Sequence, residues 1–498
     1  MSEKLEQLKE KLGEVFDIGR AASVLSWDQQ VHMPSGGNEA RGRQLATLNK
    51  LAQEKLIADE VGVLIEDLKH EYDGADSDEA ALVRVADRNY NKARRVPPSF
   101  IAEREIVTAK AFEAWVEARE KSDFSIFAPH LEKVVELIHK YVSFFPPADH
   151  PYDTLLDDYE RGMKTAEVRA IFDDLRPRQV ELIKAMTSAR QVKADFLFKK
   201  YNEKKLDAFG VDVITRFGYD WSRGRQDKAP HPFQTTFSVN DVRITTRYED
   251  DNPLAMLFST MHEAGHAMYE QGIDQAYERT SLAGATSLAV HESQSRLWEN
   301  LVGRSLPFWE HFYPLFKKTF HAQLEGVSLK SFYKAINLVE PSLIRVNADE
   351  ATYNLHIMLR LELEIAMVEG KVAIKDLPEF WNAKMQEYLG ITPPDDATGV
   401  LQDIHWSYGA IGYFSTYALG NLVSAQLWEK IHQDIPALDD QICKGNFAEL
   451  LDWLRRNVHR HGQKYEPQVL IEMATGSRIT PEPYLRYLTE KYGEIYRL

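Results

Sequence analysis

Apolar side chains recur at three- and four-residue intervals along most of this chain, which is the spacing of amphipathic helices. The first such stripe joins Leu5, Leu8, Leu12 and Phe16 across intervening Glu and Lys residues. The same period predicts helices within 78–120, 127–145, 164–188, 308–338 and 354–369. Adjacent prolines, which predict turns between helices, lie at 97–98, 146–147 and 393–394. The pattern predicts a mainly α protein.

One segment, residues 231–248, has a two-residue period instead. Phe233, Thr235 and Phe237 alternate with polar neighbours, and a second alternating run, rich in β-branched residues, extends from 242 to 248. Such alternation is typical of strands with one buried face. We therefore expect a hairpin or a small sheet immediately before the next predicted helix.

Composition limits the class of protein. The chain has 498 residues, of which 44% are hydrophobic and 27% are charged, as in an ordinary globular protein. Its formal net charge of -16 argues against a nucleic-acid partner, because phosphate binding needs a basic surface. The single cysteine, Cys443, allows neither an intrachain disulfide nor a cysteine-based zinc site. The N-terminal residues lack the apolar run of a signal peptide, so we expect a cytoplasmic protein.

An uncharged stretch from Trp406 to Trp428 is long enough to span a bilayer. It contains several serines, Thr416, Asn421 and Gln426, whose polar groups would be poorly satisfied in lipid. We predict a buried helix beside a polar cavity, and no membrane partner.

A metal-binding motif, His-Glu-Ala-Gly-His, occupies residues 262–266 of a predicted helix that Asn252 can cap and Gly272 can end. Two histidines four residues apart project from one helix face, so His262 and His266 can bind the same ion. Glu263 then reaches a water at the metal rather than the metal itself. A helix with two exposed or core histidines and no metal is the alternative.

A peptidase zinc needs a third protein ligand and an open position for water. Glu270, on the same helix, is too nearly collinear with the histidines, so a second helix should supply the ligand, and Glu292 is the candidate. Its neighbour His291 faces about 100° away and is expected to support a ligand, whereas Glu299 is expected to be solvated. These residues predict a metallopeptidase in which Glu263 accepts the proton of the attacking water and passes it to the leaving amine.

The chain also resembles the carboxypeptidase Taq family over nearly its whole length. Six short motifs associated with that family occur in order, one of them the histidine motif. The other five are His-Pro-Phe at 231–233, Asp-Val-Arg-Ile-Thr at 241–245, His-Glu-Ser-Gln at 291–294, Ile-Arg-Val-Asn-Ala-Asp at 344–349 and Gly-Val-Leu-Gln-Asp-Ile-His-Trp at 399–406. Six matches in order are far more specific than one zinc motif.

The resemblance implies a large helical metallopeptidase with a deep substrate groove and a small β-sheet beside the zinc helix. We accordingly expect one catalytic domain, residues 1–498, with its active-site core at about 231–413. The family implies one zinc ion per chain, for which His262, His266 and Glu292 are the predicted ligands, with cobalt able to take its place. It also implies a homodimer that releases single C-terminal amino acids from peptides with broad side-chain tolerance.

A carboxypeptidase must recognise the free carboxylate of its substrate, and Arg pairs with a carboxylate bidentately. Arg345 is the first candidate, with an ion pair to Asp349 in a predicted helix as its competing structural role. Arg243, on the predicted strand, is the alternative. That strand can also pair with an extended peptide substrate.

His405 and Tyr413 are candidates for stabilising the oxyanion or binding the substrate backbone, and the region of Tyr413 resembles, by analogy only, that of angiotensin-converting enzyme. Tyr408 or Tyr417 can fill the same role, and any of the three tyrosines can instead be a core aromatic. His231 is expected either to bind substrate or to support the sheet.

We therefore predict a zinc metallocarboxypeptidase acting on peptides with a free C-terminus. The alternative among enzymes is a zinc oligopeptidase that cuts internal bonds or releases dipeptides, because it can share the zinc helix and the glutamate. The alternative outside enzymes is a peptide-binding protein on the same fold. The intact Glu263 disfavours that alternative, because a binding protein has no need of a base.

Overall fold

The structure, a computed structural model, describes residues 2–250 and 252–498. This part of the chain holds twenty α-helices and three short strands, so the prediction of a mainly α protein is confirmed. The first ten helices are α1 (Glu3–Val31), α2 (Asn38–Leu56), α3 (Asp59–Glu71), α4 (Asp78–Arg95), α5 (Pro98–Lys121), α6 (Phe124–Val142), α7 (Pro151–Tyr159), α8 (Thr165–Ser188), α9 (Glu203–Phe217) and α10 (Ala255–Gly272). The other ten are α11 (Leu288–Arg296), α12 (Leu306–Thr319), α13 (Leu329–Ile336), α14 (Tyr353–Val368), α15 (Leu377–Leu389), α16 (Ser415–Asp434), α17 (Leu438–Ile442), α18 (Ala448–Asn457), α19 (Pro467–Thr475) and α20 (Glu482–Tyr496).

Helix boundaries follow the expected signals in most places. The segment 78–120 divides into α4 and α5 at Pro97, and Pro98 takes the first position of α5, where its missing N–H costs nothing. Three residues of the N-terminal stripe, Leu5, Leu8 and Leu12 of α1, are buried in one hydrophobic cluster, whereas Phe16 is half-buried. Burial of that stripe holds α1 in place, since an isolated helix gains little stability from propensity alone.

The predicted hairpin is confirmed, with one strand more than expected. Strand β2 (Gln234–Ser238) pairs antiparallel with β3 (Asp241–Thr246), and β1 (Gln226–Lys228) pairs parallel with β3, giving the order β1-β3-β2. Strand β1 was not predicted, because its three residues are all polar and show no alternation. Thr246 of β3 contacts Thr260 of α10 through their hydroxyl oxygens, 3.0 Å apart, so the sheet packs directly against that helix.

The chain groups into two compact units, each assembled from three separate segments. The first unit contains residues 2–94, 193–336 and 427–478. The second unit contains residues 95–192, 337–426 and 479–498. The expectation of a single catalytic domain with a core at about 231–413 stays a prediction.

The uncharged stretch 406–428 leads into α16, where polar groups are buried as expected. Asn421 of α16 donates a hydrogen bond of 2.7 Å to the side-chain oxygen of Asn354 on α14. Within the described residues, no helix is both long enough and apolar enough to cross a membrane.

Candidate active site

Helix α10 carries the histidine motif, but it begins differently from the prediction. Its first residue is Ala255, and Leu254 occupies the N-cap position without a side-chain hydrogen bond. The expected side-chain cap from Asn252 is wrong: only its backbone carbonyl takes part, accepting from the Ala255 amide at 3.0 Å. The end of the helix at Gly272 is confirmed.

Gly265, inside the motif, lets α10 approach α11 closely. A Cβ at Gly265 would lie 2.6 Å from the carbonyl oxygen of Gln294 and 2.7 Å from Cα of Ser295. These are backbone atoms, which cannot turn aside as a side chain can. The two helices therefore pack with their backbones in contact, and this contact brings α11 to the histidines.

Three side chains from α10 and α11 converge at this contact. Nε2 of His262 lies 3.6 Å, and Nε2 of His266 3.4 Å, from Oε2 of Glu292. One ligand atom from each residue lies within 4.8 Å of the other two, an arrangement that could hold a metal ion. The predicted set of three is therefore brought together, with two imidazole nitrogens and one carboxylate oxygen facing one another.

The outer nitrogen of each histidine, Nδ1, points away from Glu292 and contacts a further side chain. Nδ1 of His262 donates to Oε2 of Glu299 at 2.9 Å, and Nδ1 of His266 lies 2.5 Å from Nδ1 of His291. Nε2 of His291 in turn lies 3.2 Å from Oε1 of Glu270. The tautomers that satisfy these contacts place the protons on the outer nitrogens, so both Nε2 lone pairs face inward. Such outer partners fix the ring orientation of metal-binding histidines.

The expectation that Glu299 is solvated is wrong. Its side chain is 13% exposed and lies in a π-helical turn, Leu297–Val302, that continues α11. Turns of this kind occur frequently at functional sites. Burial opposes ionisation of Glu299, but the bond to His262 and the charge of Arg296 outweigh it and lower its pKa to about 2.

Arg296 joins the two acidic residues of this region. Its Nε donates to Glu292 at 2.6 Å, and its Nη1 donates to Glu299 at 3.3 Å. Burial acts against the charged form of Glu292, yet Arg296 and His262 hold its pKa well below the ordinary value. Glu292 is therefore an anion in this site, as a metal ligand must be.

Glu263 follows the first histidine on α10 and is 7% exposed. Burial raises its pKa to about 7, and the neighbouring Glu292 carboxylate acts in the same direction. A carboxyl group with a pKa near neutrality can both accept and release a proton at physiological pH.

Arg243 lies on β3 in the sheet of the first unit, and His231 precedes β2 of the same sheet. Arg243 makes a bidentate ion pair with Asp241, with Nε and Nη2 each 2.8 Å from a carboxylate oxygen. Its guanidinium also lies over the rings of Trp27 and Phe237, 4.5 and 4.8 Å from their centroids. His231 is exposed in the loop before β2.

Arg345 of the second unit is 6% exposed and pairs with Asp403 rather than with Asp349. Its Nε and Nη2 lie 3.1 and 2.7 Å from Oδ1 of Asp403. The predicted helix at this place is only a short 3-10 turn, 345–347. Asp349 instead accepts hydrogen bonds from the Ala351 and Thr352 amides, in the turn that leads into α14.

His405 and Tyr413 lie together in the second unit. Their rings stack with centroids 5.3 Å apart and planes inclined by 28°. Nδ1 of His405 is 3.8 Å from Asp403, the carboxylate that also binds Arg345. Tyr417 reaches the Tyr413 hydroxyl at 3.3 Å. Tyr408, the other alternative, is 50% exposed.

The sequence profile of the carboxypeptidase Taq (M32) metallopeptidase family matches residues 7–492. Thermostable carboxypeptidase 1 of Thermus thermophilus is 40% identical over 491 residues, which cover 96% of each chain. Carboxypeptidase 1 of Bacillus subtilis is 37% identical, covering 98% of this chain and 97% of its own. The M32 carboxypeptidase of Deinococcus radiodurans R1 superposes with a TM-score of 0.97 at 42% identity, and each chain is covered completely. Sequence, fold and a cluster of side chains that could hold a metal ion thus lead to one conclusion: this chain belongs to the carboxypeptidase Taq (M32) family and is a metallocarboxypeptidase.

Proposed function

We propose that this metallocarboxypeptidase uses one zinc ion to remove single amino acids, with broad side-chain tolerance, from peptides with a free C-terminus. The observation that carries the proposal is the convergence of two inward-facing imidazole nitrogens and one carboxylate oxygen from His262, His266 and Glu292. Three ligands of this kind leave a fourth tetrahedral position open, which is the pattern of catalytic zinc sites. The same donors accept cobalt, so cobalt is proposed as a substitute.

The donor set fits zinc on chemical grounds. Glu292 is ionised beside Arg296, and each histidine has its outer nitrogen engaged by Glu299 or His291. Glu292 is thus held in its deprotonated form, and the contacts at the two Nδ1 atoms fix the rings so that each Nε2 faces the site. A bound zinc ion supplies a water whose pKa falls to about 7 and polarises the scissile carbonyl.

Glu263 is the proposed general base and acid. It follows the first ligand along α10, and its burial favours a proton that can be exchanged near neutral pH. In the proposed cycle the Glu263 carboxylate takes a proton from the attacking water and then delivers it to the amine of the departing amino acid. The proton balance closes, because the carboxylate is regenerated at the end.

Arg345 is the proposed recognition group for the substrate carboxylate. Arg345 and Arg360 share the single carboxylate of Asp403, at 2.7 and 2.6 Å, so this cluster has an excess of positive charge. A C-terminal carboxylate would neutralise that excess. Arg345 is 6% exposed whereas Arg360 is fully buried, so a ligand meets Arg345 first. Arg243 is the alternative, although Asp241 already engages the Nε–Nη2 edge of its guanidinium.

Tyr413 and His405 are proposed to donate hydrogen bonds to the developing oxyanion or to the substrate backbone. The stacking of the two rings supports a shared role. His231, exposed before β2, is proposed as a further substrate contact. We also propose a cytoplasmic homodimer in which residues 1–498 form one catalytic domain with its active-site core at about 231–413.

The test compares an unmodified peptide with its C-terminally amidated twin, each incubated with zinc-loaded protein and followed by mass spectrometry. We expect a ladder of single-residue losses from the free C-terminus only. Internal fragments or dipeptides from both peptides would overturn the proposal in favour of an oligopeptidase. Elemental analysis of the active protein identifies the metal, and one zinc per chain is expected.

Arginine variants test the recognition group separately. Arg345→Ala should raise KM for free peptides while leaving the zinc content unchanged, and Arg243→Ala serves as the matched control on the other cluster. The reverse ranking would transfer the role to Arg243.

A further inference from the structure

A buried carboxylate on α14 has no role in the chemistry described so far. Glu364 is fully buried, yet three hydrogen-bond donors converge on its two oxygens. Oε1 accepts from Nε1 of Trp406 at 2.8 Å. Oε2 accepts from the backbone amide of Gly412 at 3.0 Å and from the hydroxyl of Tyr152 at 2.6 Å. Burying a carboxyl group is unfavourable unless such bonds compensate it, and two of these three donors flank the segment between His405 and Tyr413.

A second attachment lies one helical turn earlier on α14. Arg360, also fully buried, donates from Nε to Asp403 at 2.7 Å and from Nη2 to the side-chain oxygen of Gln402 at 2.8 Å. Side chains four residues apart lie on the same face of a helix. Arg360 and Glu364 therefore form hydrogen bonds with both ends of one segment, residues 402–412. His405 lies within this segment.

The far end of that segment is also fixed by shape. Gly412 has a φ of 99°, in the region that favours glycine. A Cβ at this position would lie 2.8 Å from the backbone carbonyl of Leu155 on α7. The same helix supplies Tyr152, one of the donors to Glu364. Gly412, which immediately precedes Tyr413, is thereby held against both α7 and α14.

We propose that Glu364 is a positioning residue that sets the place of Tyr413 and His405 through its bonds to Gly412 and Trp406. The inference rests on the proposed function, since it assigns Glu364 an effect on the reaction only through those two rings. Another hydrogen-bond-accepting side chain at position 364 cannot fully replace the carboxylate. A glutamine has one acceptor oxygen, so its amide N–H groups would face either the Trp406 or the Gly412 donor.

The test compares Glu364→Gln with Glu362→Gln, a control on the same helix whose carboxylate pairs with Arg176 at 2.6 Å and is 30% exposed. We expect Glu364→Gln to lower kcat about tenfold to hundredfold, because small displacements of reacting groups have effects of that size. KM and zinc content should change little, and the control should behave as the unmodified protein. Equal kcat in the two variants would overturn the proposal.

A double-mutant cycle with Tyr413→Phe separates positioning from general weakening of the fold. If Glu364 acts through Tyr413, most of the effect of Glu364→Gln disappears when the Tyr413 hydroxyl is already absent. If the two substitutions lower kcat by factors that simply multiply in the double variant, the proposal is overturned. Full activity of Tyr413→Phe would show that the role assigned to Tyr413 fails, whereas an inactive Tyr413→Phe beside a fully active Glu364→Gln would refute only this inference.

A milder variant keeps the test usable if Glu364→Gln does not fold. Tyr152→Phe removes one of the three donors and leaves the carboxylate in place. We expect it to lower kcat about threefold to tenfold and to lose that effect in the Tyr413→Phe background. An unchanged kcat in Tyr152→Phe would count against the proposal in the same way.

Discussion

Glu299 provides the sharpest test of how the metal centre is supported. Its Oε2 accepts from Nδ1 of His262 at 2.9 Å, and Arg296 and Arg304 lie 3.3 and 3.5 Å from its oxygens. Removing a partner of a metal-binding histidine typically lowers metal affinity about tenfold to hundredfold. That range corresponds to about 1.4 to 2.8 kcal/mol.

The structure places Glu299→Ala in the upper part of this range. The variant loses the hydrogen bond that fixes the His262 ring and also leaves two arginines without that carboxylate, beside a site that must accept a divalent cation. Glu299→Gln keeps an acceptor for His262 but loses the charge, so we expect an intermediate loss. The order of affinity should be unmodified protein, then Glu299→Gln, then Glu299→Ala.

Zinc affinity is measured by competition with a chromogenic chelator, with the thermal midpoint recorded for each apoprotein. The matched control is Glu203→Ala, which removes a surface ion pair with Lys228 in the same unit. A Glu299→Ala protein that melts normally and binds zinc within twofold of the unmodified protein would refute the supporting role of Glu299.

Three further predictions concern single residues. Gly265→Ala should destabilise the protein by about 1 to 3 kcal/mol in a thermal melting assay and weaken zinc binding, because its Cβ would meet the backbone of Gln294. The control is Gly19→Ala in helix α1, where a Cβ has open space, and it should be neutral or stabilising in the same assay. Glu263→Gln should retain zinc by elemental analysis and lower kcat about 100- to 10,000-fold, and near-normal turnover would exclude it as the base. Burial raises the pKa of Glu364 to about 7, so its stabilising contribution is present below the unfolded pKa near 4.5 and is lost as pH rises through 7. Between pH 4.5 and pH 7 the free energy of unfolding of the unmodified protein should therefore fall by about 3 kcal/mol relative to that of Glu364→Gln. A difference between the two melting curves that does not change with pH would contradict the raised pKa of Glu364.

The candidate metal-binding triad could be predicted from the sequence because the information for it is local. Two of the candidate ligands are related by four-residue spacing on one helix, and Glu292 follows on the next helix. The same applies to the hairpin, whose alternation is a property of neighbouring residues. Local periodicity also defined most of the helices, since an apolar stripe identifies a helix without knowledge of its partner.

The contacts that the sequence did not identify join distant partners. The pairing of Arg345 with Asp403 joins positions 58 residues apart, and the Glu364–Tyr152 bond spans 212 residues. Nothing in the spacing of either pair distinguishes it from a chance combination of polar residues. Glu299 differs, because it lies seven residues after Glu292 on a continuous helical segment. A helical face that repeats after seven residues was a signal that could have suggested its position beside the metal site.

The interleaving of the two units has a consequence for biosynthesis. The first unit needs residues 2–94, 193–336 and 427–478, and its hydrophobic cluster joins Leu5 of the first segment to Leu282 of the second. At ribosomal rates of about 5 to 20 residues per second, Leu282, the last buried member of that cluster, is added roughly 10 to 40 s after residue 94. The apolar stripe of α1 therefore lacks part of its cluster for that time on a nascent chain, and helper proteins that shield exposed apolar segments should bind this N-terminal helix during translation.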